Sequence, residues 1–165
     1  MFEQRTLSHT AYQWETKAPA AIGYREIGYA LLRVTFGVNF LMAGIGKFIM
    51  GIGNFEAGLE KQFAGKLPLI LLKPFGYALP FAELIVGALI VLGLFNLLAL
   101  VLSGLELVVL TFGIIVAGDA PTAAHNTQYA LVNFVLLWFA GYNGYSIDRL
   151  IRARSSQENL KDESW

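Results

Sequence analysis

The sequence predicts an all-α integral membrane protein, a four-helix bundle with short interfacial helices. Hydrophobic residues make up 56% of the 165-residue chain, and they fall in long blocks instead of alternating with charges. Four of these blocks approach the length of about 20 residues that a helix needs to cross a bilayer. The few charges inside the blocks are unfavourable in hydrocarbon, so we expect them to face other helices or a wet cavity.

The chain divides into three regions. Residues 1–26 are mixed and polar and lack the features of a signal peptide, so we expect an interfacial N-terminal arm. Residues 27–150 hold the apolar blocks and form the predicted transmembrane domain. Residues 151–165 are charged and predict a cytoplasmic tail.

The blocks place four predicted spans at residues 27–50, 76–95, 97–118 and 127–145. The tight connection at Phe95-Asn96 predicts an antiparallel hairpin of the second and third spans. Between the first two spans we expect a short amphipathic surface helix capped by Asn54, followed by an interfacial or re-entrant piece at 67–74, which prolines bracket. Residues 119–126 form the predicted loop before the fourth span.

Arg33 and Glu106 form an inner polar layer in this arrangement. At a rise of about 1.5 Å per residue, Arg33 lies roughly 9 Å and Glu106 roughly 13 Å from the cytoplasmic ends of their predicted helices. We interpret them as a buried structural ion pair that fixes the register of the helices.

Glu83 is the centre of an outer polar layer. It shares a helix face with Gly87, Lys47 ends the corresponding face of the first span, and His125-Asn126 opens the fourth. An acid, a cation and a near-neutral titrating group at one depth are typical of proton paths and of pockets for polar head groups. Structural packing is the alternative, and Lys47 has the further alternative of reaching to the interface.

Several function classes are excluded. The chain has no cysteine, which rules out chemistry on its own thiols, and no basic cluster that would bind nucleic acid. Two histidines and scattered carboxylates make no metal site, and we expect no covalently bound cofactor. The sequences Gly44-Ile45-Gly46 and Gly51-Ile52-Gly53 lack the strand and helix context of a nucleotide-binding loop.

Arginine and lysine are concentrated in the terminal regions, which are on the same side if the chain crosses four times. The terminal regions carry Arg5, Lys17, Arg25, Arg149, Arg152, Arg154 and Lys161, against Lys61, Lys66 and Lys73 on the opposite side. The positive-inside rule therefore predicts that both termini are cytoplasmic.

Residues 27–150 contain a series of short motifs. In chain order they are Leu31-Leu32-Arg33, Gly44-Ile45-Gly46-Lys47-Phe48, Leu67-Pro68, Pro80-Phe81-Ala82-Glu83-Leu84 and Tyr145-Ser146-Ile147-Asp148. This pattern resembles the DoxX family of small four-helix membrane proteins, whose members include the small subunit of a thiosulfate:quinone oxidoreductase. The resemblance implies a bacterial or archaeal cytoplasmic membrane and contact with quinone or with membrane redox complexes.

Two hypotheses follow, and whether the chain is an enzyme stays open between them. In the first it is a quinone-linked redox subunit, in which Glu83, His125 and Lys47 bind the quinone head or move its protons. In the second it is an accessory subunit that packs against other membrane-protein subunits through lipid-facing aromatics such as Phe134, Trp138 and Phe139.

Overall fold

A computed structural model describes residues 23–162 of the chain, and all the regular structure in this range is helical. The helices are α1 (Tyr24–Met50), α2 (Ile52–Gln62), α3 (Leu69–Leu92), α4 (Asn96–Ala117), α5 (Ala120–Trp138) and α6 (Ile147–Asp162), with a 3-10 turn at Ala140–Tyr142. Within the described range three helices, α1, α3 and α4, are long and apolar enough to cross a membrane. The predicted all-α membrane fold is thereby confirmed. Most of the predicted arm, residues 1–22, lies outside the described residues, as do residues 163–165 of the predicted tail.

Four helices form a ring in which α1 packs on α3, α3 on α4, α4 on α5 and α5 on α1. Their inward faces build one apolar core around Phe36, Ile90, Leu100 and Leu136, all of which are fully buried. Their outward faces are covered with exposed leucine, isoleucine, valine and phenylalanine. Apolar residues on the outward faces as well as in the core are expected of helices that are surrounded by lipid.

Glycines set the close approach of α1 to α3. A Cβ on Gly44 would lie 2.8 Å from the Leu84 backbone nitrogen and 3.0 Å from the Pro80 oxygen, and one on Gly87 would lie 2.8 Å from the Leu41 Cα. Each helix therefore presents bare backbone to the other, as small-residue seams do in membrane bundles. This seam fixes which side chains of α1 and α3 meet.

Helix α3 is longer than predicted, and the prediction of a separate interfacial piece at 67–74 was wrong. The helix begins directly after Pro68 and runs through Pro74 and Pro80 without a break. In a membrane helix, neighbouring elements compensate for the hydrogen bond that a proline removes. The surface helix α2 was predicted, but Asn54 does not cap it. Its amide donates instead to the Met50 oxygen at 2.9 Å.

The predicted hairpin between α3 and α4 is formed by a turn with two left-handed residues, Gly93 (φ 64°) and Phe95 (φ 47°). The Asp148 carboxylate accepts hydrogen bonds from the backbone nitrogens of Phe95 at 2.9 Å and Asn96 at 3.0 Å. It thus satisfies free N–H groups at the start of α4 from a distant part of the chain. Ser146 caps α6, because its hydroxyl accepts from Arg149 N at 3.3 Å.

Helix α5 begins earlier than predicted, so the loop assigned to residues 119–126 is wrong. Asp119 is the N-cap, and its carboxylate accepts from Thr122 N at 3.1 Å and from the Thr122 hydroxyl at 2.6 Å. Pro121 falls in the first turn, where its missing N–H has no helical partner to lose. His125 and Asn126 are consequently helical residues, and the helix ends at Trp138 instead of near residue 145.

Candidate functional site

Lys47 and Glu83 form a buried ion pair between α1 and α3. The Lys47 Nζ lies 2.5 Å from one Glu83 carboxylate oxygen and 2.7 Å from the other. The glutamate side chain is 4% exposed and the lysine side chain 18%. Gly44, one turn before Lys47, lets α3 approach closely enough for the pair to form. Lys47 also lies over the Phe55 ring, with its Nζ 5.3 Å from the ring centroid, so this lysine turns into the protein.

A cavity of about 210 Å³ adjoins Glu83 and is bounded by all four helices of the ring. Its walls are Asn39, Phe40 and Ala43 of α1, Glu83 of α3, Leu107 and Leu110 of α4, and Asn126 and Tyr129 of α5. The Tyr129 hydroxyl donates a long hydrogen bond, 3.5 Å, to the Asn39 amide oxygen across the α1 and α5 boundary. The Asn126 Nδ2 is buried and has no hydrogen-bond partner among the described residues. The cavity therefore offers a carboxylate and an unused amide donor on an otherwise largely apolar wall.

His125 is placed differently from the other predicted outer-layer residues. Its side chain lies on the exposed side of α5 and does not line the cavity. It packs edge to face against Tyr129, with ring centroids 5.2 Å apart. The structure therefore brings Glu83, which is paired with Lys47, and Asn126 to the cavity, and puts His125 outside it behind Tyr129.

The predicted ion pair between Arg33 and Glu106 is wrong, because the two residues lie at different depths. Arg33 is 3% exposed, and its Nη2 donates to the Tyr145 oxygen at 2.8 Å. Its guanidinium occupies the space above Gly93, where any side chain would collide with it. Arg33 thus sits at the level of the α3–α4 turn, whereas Glu106 is ten residues, about 15 Å, along α4 from Asn96.

Glu106 belongs to the level of the Lys47–Glu83 pair instead. Glu83 precedes the end of α3 by nine residues and Glu106 follows the start of α4 by ten, so the tight hairpin places both about 14 to 15 Å from the turn. Glu106 interacts electrostatically with Glu83 and Lys47. Both of its carboxylate oxygens are shielded from solvent and have no hydrogen-bond partner in the described part of the chain.

Sequence reasoning missed Glu106, Asn39 and Tyr129 as neighbours of the site. For Glu106 the signal was present, since equal distances from a tight turn put two residues of a hairpin at one depth. Asn39 and Tyr129 are revealed only by the pairing of α1 with α5, which no short-range pattern specifies.

The polar groups at this level of the bundle, here called the buried cluster, are the Glu83 and Glu106 carboxylates, the Asn39 and Asn126 amides and the Lys47 ammonium. No group of three or more histidine, cysteine, aspartate or glutamate side chains in the described residues is placed to hold a metal ion. The cavity is smaller than the roughly 300 to 1,000 Å³ of most ligand pockets, so it suits a small polar molecule or a head group.

The fold and this buried cluster define an integral membrane helical bundle whose apolar core is accompanied by a group of buried polar side chains. Residues 25–125 match the family described as "Methylamine utilisation protein MauE", and the match covers more than half of the chain. The chain belongs to the MauE family. No curated protein and no solved structure matches it.

This match overturns the resemblance to DoxX. The matched segment contains Lys47, Glu83 and Glu106, the charged residues of the cluster. The motifs that suggested DoxX are short and consist mainly of apolar residues, glycine and proline. Those residues are also what close helix packing in a bilayer selects, so their order did not distinguish one membrane family from another.

Proposed function

We propose that this protein is an accessory membrane subunit that binds another membrane protein of a system for the oxidative use of an amine. The observation that carries the proposal is membership of the MauE family, whose description assigns its members to methylamine utilisation. The carbon of methylamine is at the oxidation level of methanol, so its use as an energy source requires a system that oxidises it. A small helical subunit without thiols fits a supporting role in such a system.

The outer face of α5 is the proposed contact surface. Trp138 is 73% exposed and Phe134 56% exposed, and their rings are tilted against each other with centroids 5.8 Å apart. Large aromatic side chains contribute more than other types to protein interfaces. The same surface was predicted from the sequence for the accessory role.

The proposed orientation has both termini in the cytoplasm of a bacterial or archaeal cell. This requires α5 to be a fourth crossing in addition to α1, α3 and α4. At 19 residues, α5 is about 28 Å long, close to the thickness of a bilayer core. The excess of arginine and lysine in the two terminal regions supports this orientation.

A second proposed function is the binding of a small polar ligand or a proton at the cavity beside Glu83. The specific observation in its favour is that one cavity is lined both by Glu83, which Lys47 contacts, and by the Asn126 amide, which has no hydrogen-bond partner among the described residues. Contact with quinone stays a prediction, since nothing in the cavity selects a quinone head over other polar groups.

Copurification combined with one substitution separates these functions. In the source organism, deleting the gene is expected to reduce methylamine oxidation, and the affinity-tagged protein is expected to copurify with a component that this oxidation requires. Glu83→Gln should leave both properties intact if the role is purely accessory. Unchanged methylamine oxidation in the deletion strain would contradict the proposed function.

A further inference from the structure

The buried cluster holds two carboxylates and one ammonium. Lys47 contacts both oxygens of Glu83 and so neutralises that carboxylate. Glu106 lies at the same depth, interacts electrostatically with both partners, and receives no hydrogen bond from the described residues. If Glu106 were ionised, this level of the bundle would contain one uncompensated negative charge.

Such a charge is strongly unfavourable at this position. The Glu106 oxygens are shielded from solvent, and the middle of α4 lies about 15 Å from either end of the helix. A buried carboxylate without partners becomes neutral by taking up a proton. A metal ion is not the alternative here, because no suitable group of ligands surrounds Glu106 in the described part of the chain.

We propose that Glu106 is a proton-binding site, and that Glu83 and Glu106 share the single counter-charge of Lys47. While Lys47 pairs with Glu83, Glu106 carries the proton. When the Lys47 ammonium moves to Glu106, Glu106 loses its proton and Glu83 takes one up. One proton and one ammonium remain in the cluster throughout, so this exchange changes no net charge inside the membrane.

The surroundings of the cluster fit a proton-exchange role. The charged group that α1 contributes to the cluster is Lys47, and the one that α3 contributes is Glu83. From α5 the titratable groups on this side are Tyr129, which lines the cavity, and His125, which lies exposed behind it. Asn39 and Ala43 of α1, which line the same cavity, are exposed on the outer surface of the bundle. The cavity beside Glu83 therefore opens between α1 and α5, where Tyr129 and Asn39 meet. This inference does not depend on the accessory role or on its partner.

Infrared spectroscopy of the full chain in lipid vesicles tests the proposal, through the carbonyl band of a protonated carboxylic acid. The wild-type protein should show this band at neutral pH, shifted in D₂O. Glu106→Gln should abolish it. Glu83→Gln should abolish it as well, because Lys47 then pairs with Glu106 and the proton is released. Lys47→Met should enlarge it, since both carboxylates then need protons.

Glu60→Gln is the matched control, because Glu60 pairs with Lys73 at the surface and should not affect the band. Absence of the band from the wild-type protein at neutral pH would overturn the proposal without any variant. A band that survives Glu106→Gln would assign the proton to another group. A band that survives Glu83→Gln in a folded protein would show that Lys47 is not shared.

Discussion

The ion pair between Lys47 and Glu83 should contribute measurably to the stability of the bundle. Removing the ammonium by Lys47→Met leaves a carboxylate that is 4% exposed without its partner, and should lower the free energy of unfolding by about 3 to 5 kcal/mol. The double variant Lys47→Met with Glu83→Leu removes both charges and should be much milder. Reversible unfolding in mixed micelles measures the difference. Equal losses in the single and double variants would show that the charge is not what stabilises this site.

Asp119 gives a pH dependence whose sign follows from its hydrogen bonds. The Thr122 hydroxyl, and then the Thr122 backbone N–H, donate to its carboxylate and hold the pKa of Asp119 below its ordinary value. The cap therefore stabilises the start of α5 above the carboxyl's unfolded pKa, and this contribution is lost as the pH falls through the folded pKa.

Hydrogen exchange at the Thr122 amide checks this prediction. Protection should decline in acid in the wild-type protein and stay nearly constant in Asp119→Asn, which keeps a capping oxygen but does not titrate. Asp119→Ala should lose protection at every pH. The same acid-induced decline in Asp119→Asn would assign the effect to another group.

The seam between α1 and α3 is the element on which the position of the ion pair depends. Gly44→Ala should force the helices apart, because the new Cβ would lie 2.8 Å from backbone, and should destabilise the bundle by about 1 to 3 kcal/mol. Gly46→Ala on the same helix is the matched control, since its Cβ would meet nothing within 4 Å. Unfolding of both variants under one condition makes the comparison. A loss of stability as large in Gly46→Ala would argue against close packing as the cause.

Some of these elements could be predicted from the sequence and some could not. The apolar blocks are a local pattern, and they predicted the all-α class. The helix faces that carry Lys47 and Glu83 were also predicted from local spacing. The start of α5 was missed because Pro121 was taken to belong to a loop, although Asp119 before it is a good N-cap and proline suits a first turn. The length of α3 was missed for a similar reason, since Pro74 was taken as a boundary.

The candidate site was only partly predictable, because depth depends on where helices begin and end. Lys47 and Glu83 meet because Gly44 and Gly87, on the same helix faces, let α1 and α3 pack closely. Arg33 was paired with Glu106 from estimated depths, but its long side chain reaches the Tyr145 oxygen at the α3–α4 turn instead. Glu106 then has no cation of its own, and this became visible only with the complete set of contacts.

At the scale of the whole molecule, the proposed orientation is directly testable. Reporter fusions or membrane-impermeant labels should detect both termini in the cytoplasm, because the terminal regions hold most of the arginine and lysine outside the helices that cross. A position in α2, such as Lys61, should be labelled from the other side. Termini on opposite sides would mean that α5 does not cross the membrane.

We expect the protein to act as a membrane subunit through a partner that binds the α5 face. Photo-crosslinking in native membranes tests this expectation most directly, with the reactive group at Trp138 and, as the control, at Val108 on the exposed face of α4. Trp138 should give a discrete adduct that contains a protein required for methylamine oxidation, and Val108 should give no such adduct. Lipid adducts alone at both positions, in a strain whose methylamine oxidation still depends on this chain, would show that no partner binds the α5 face.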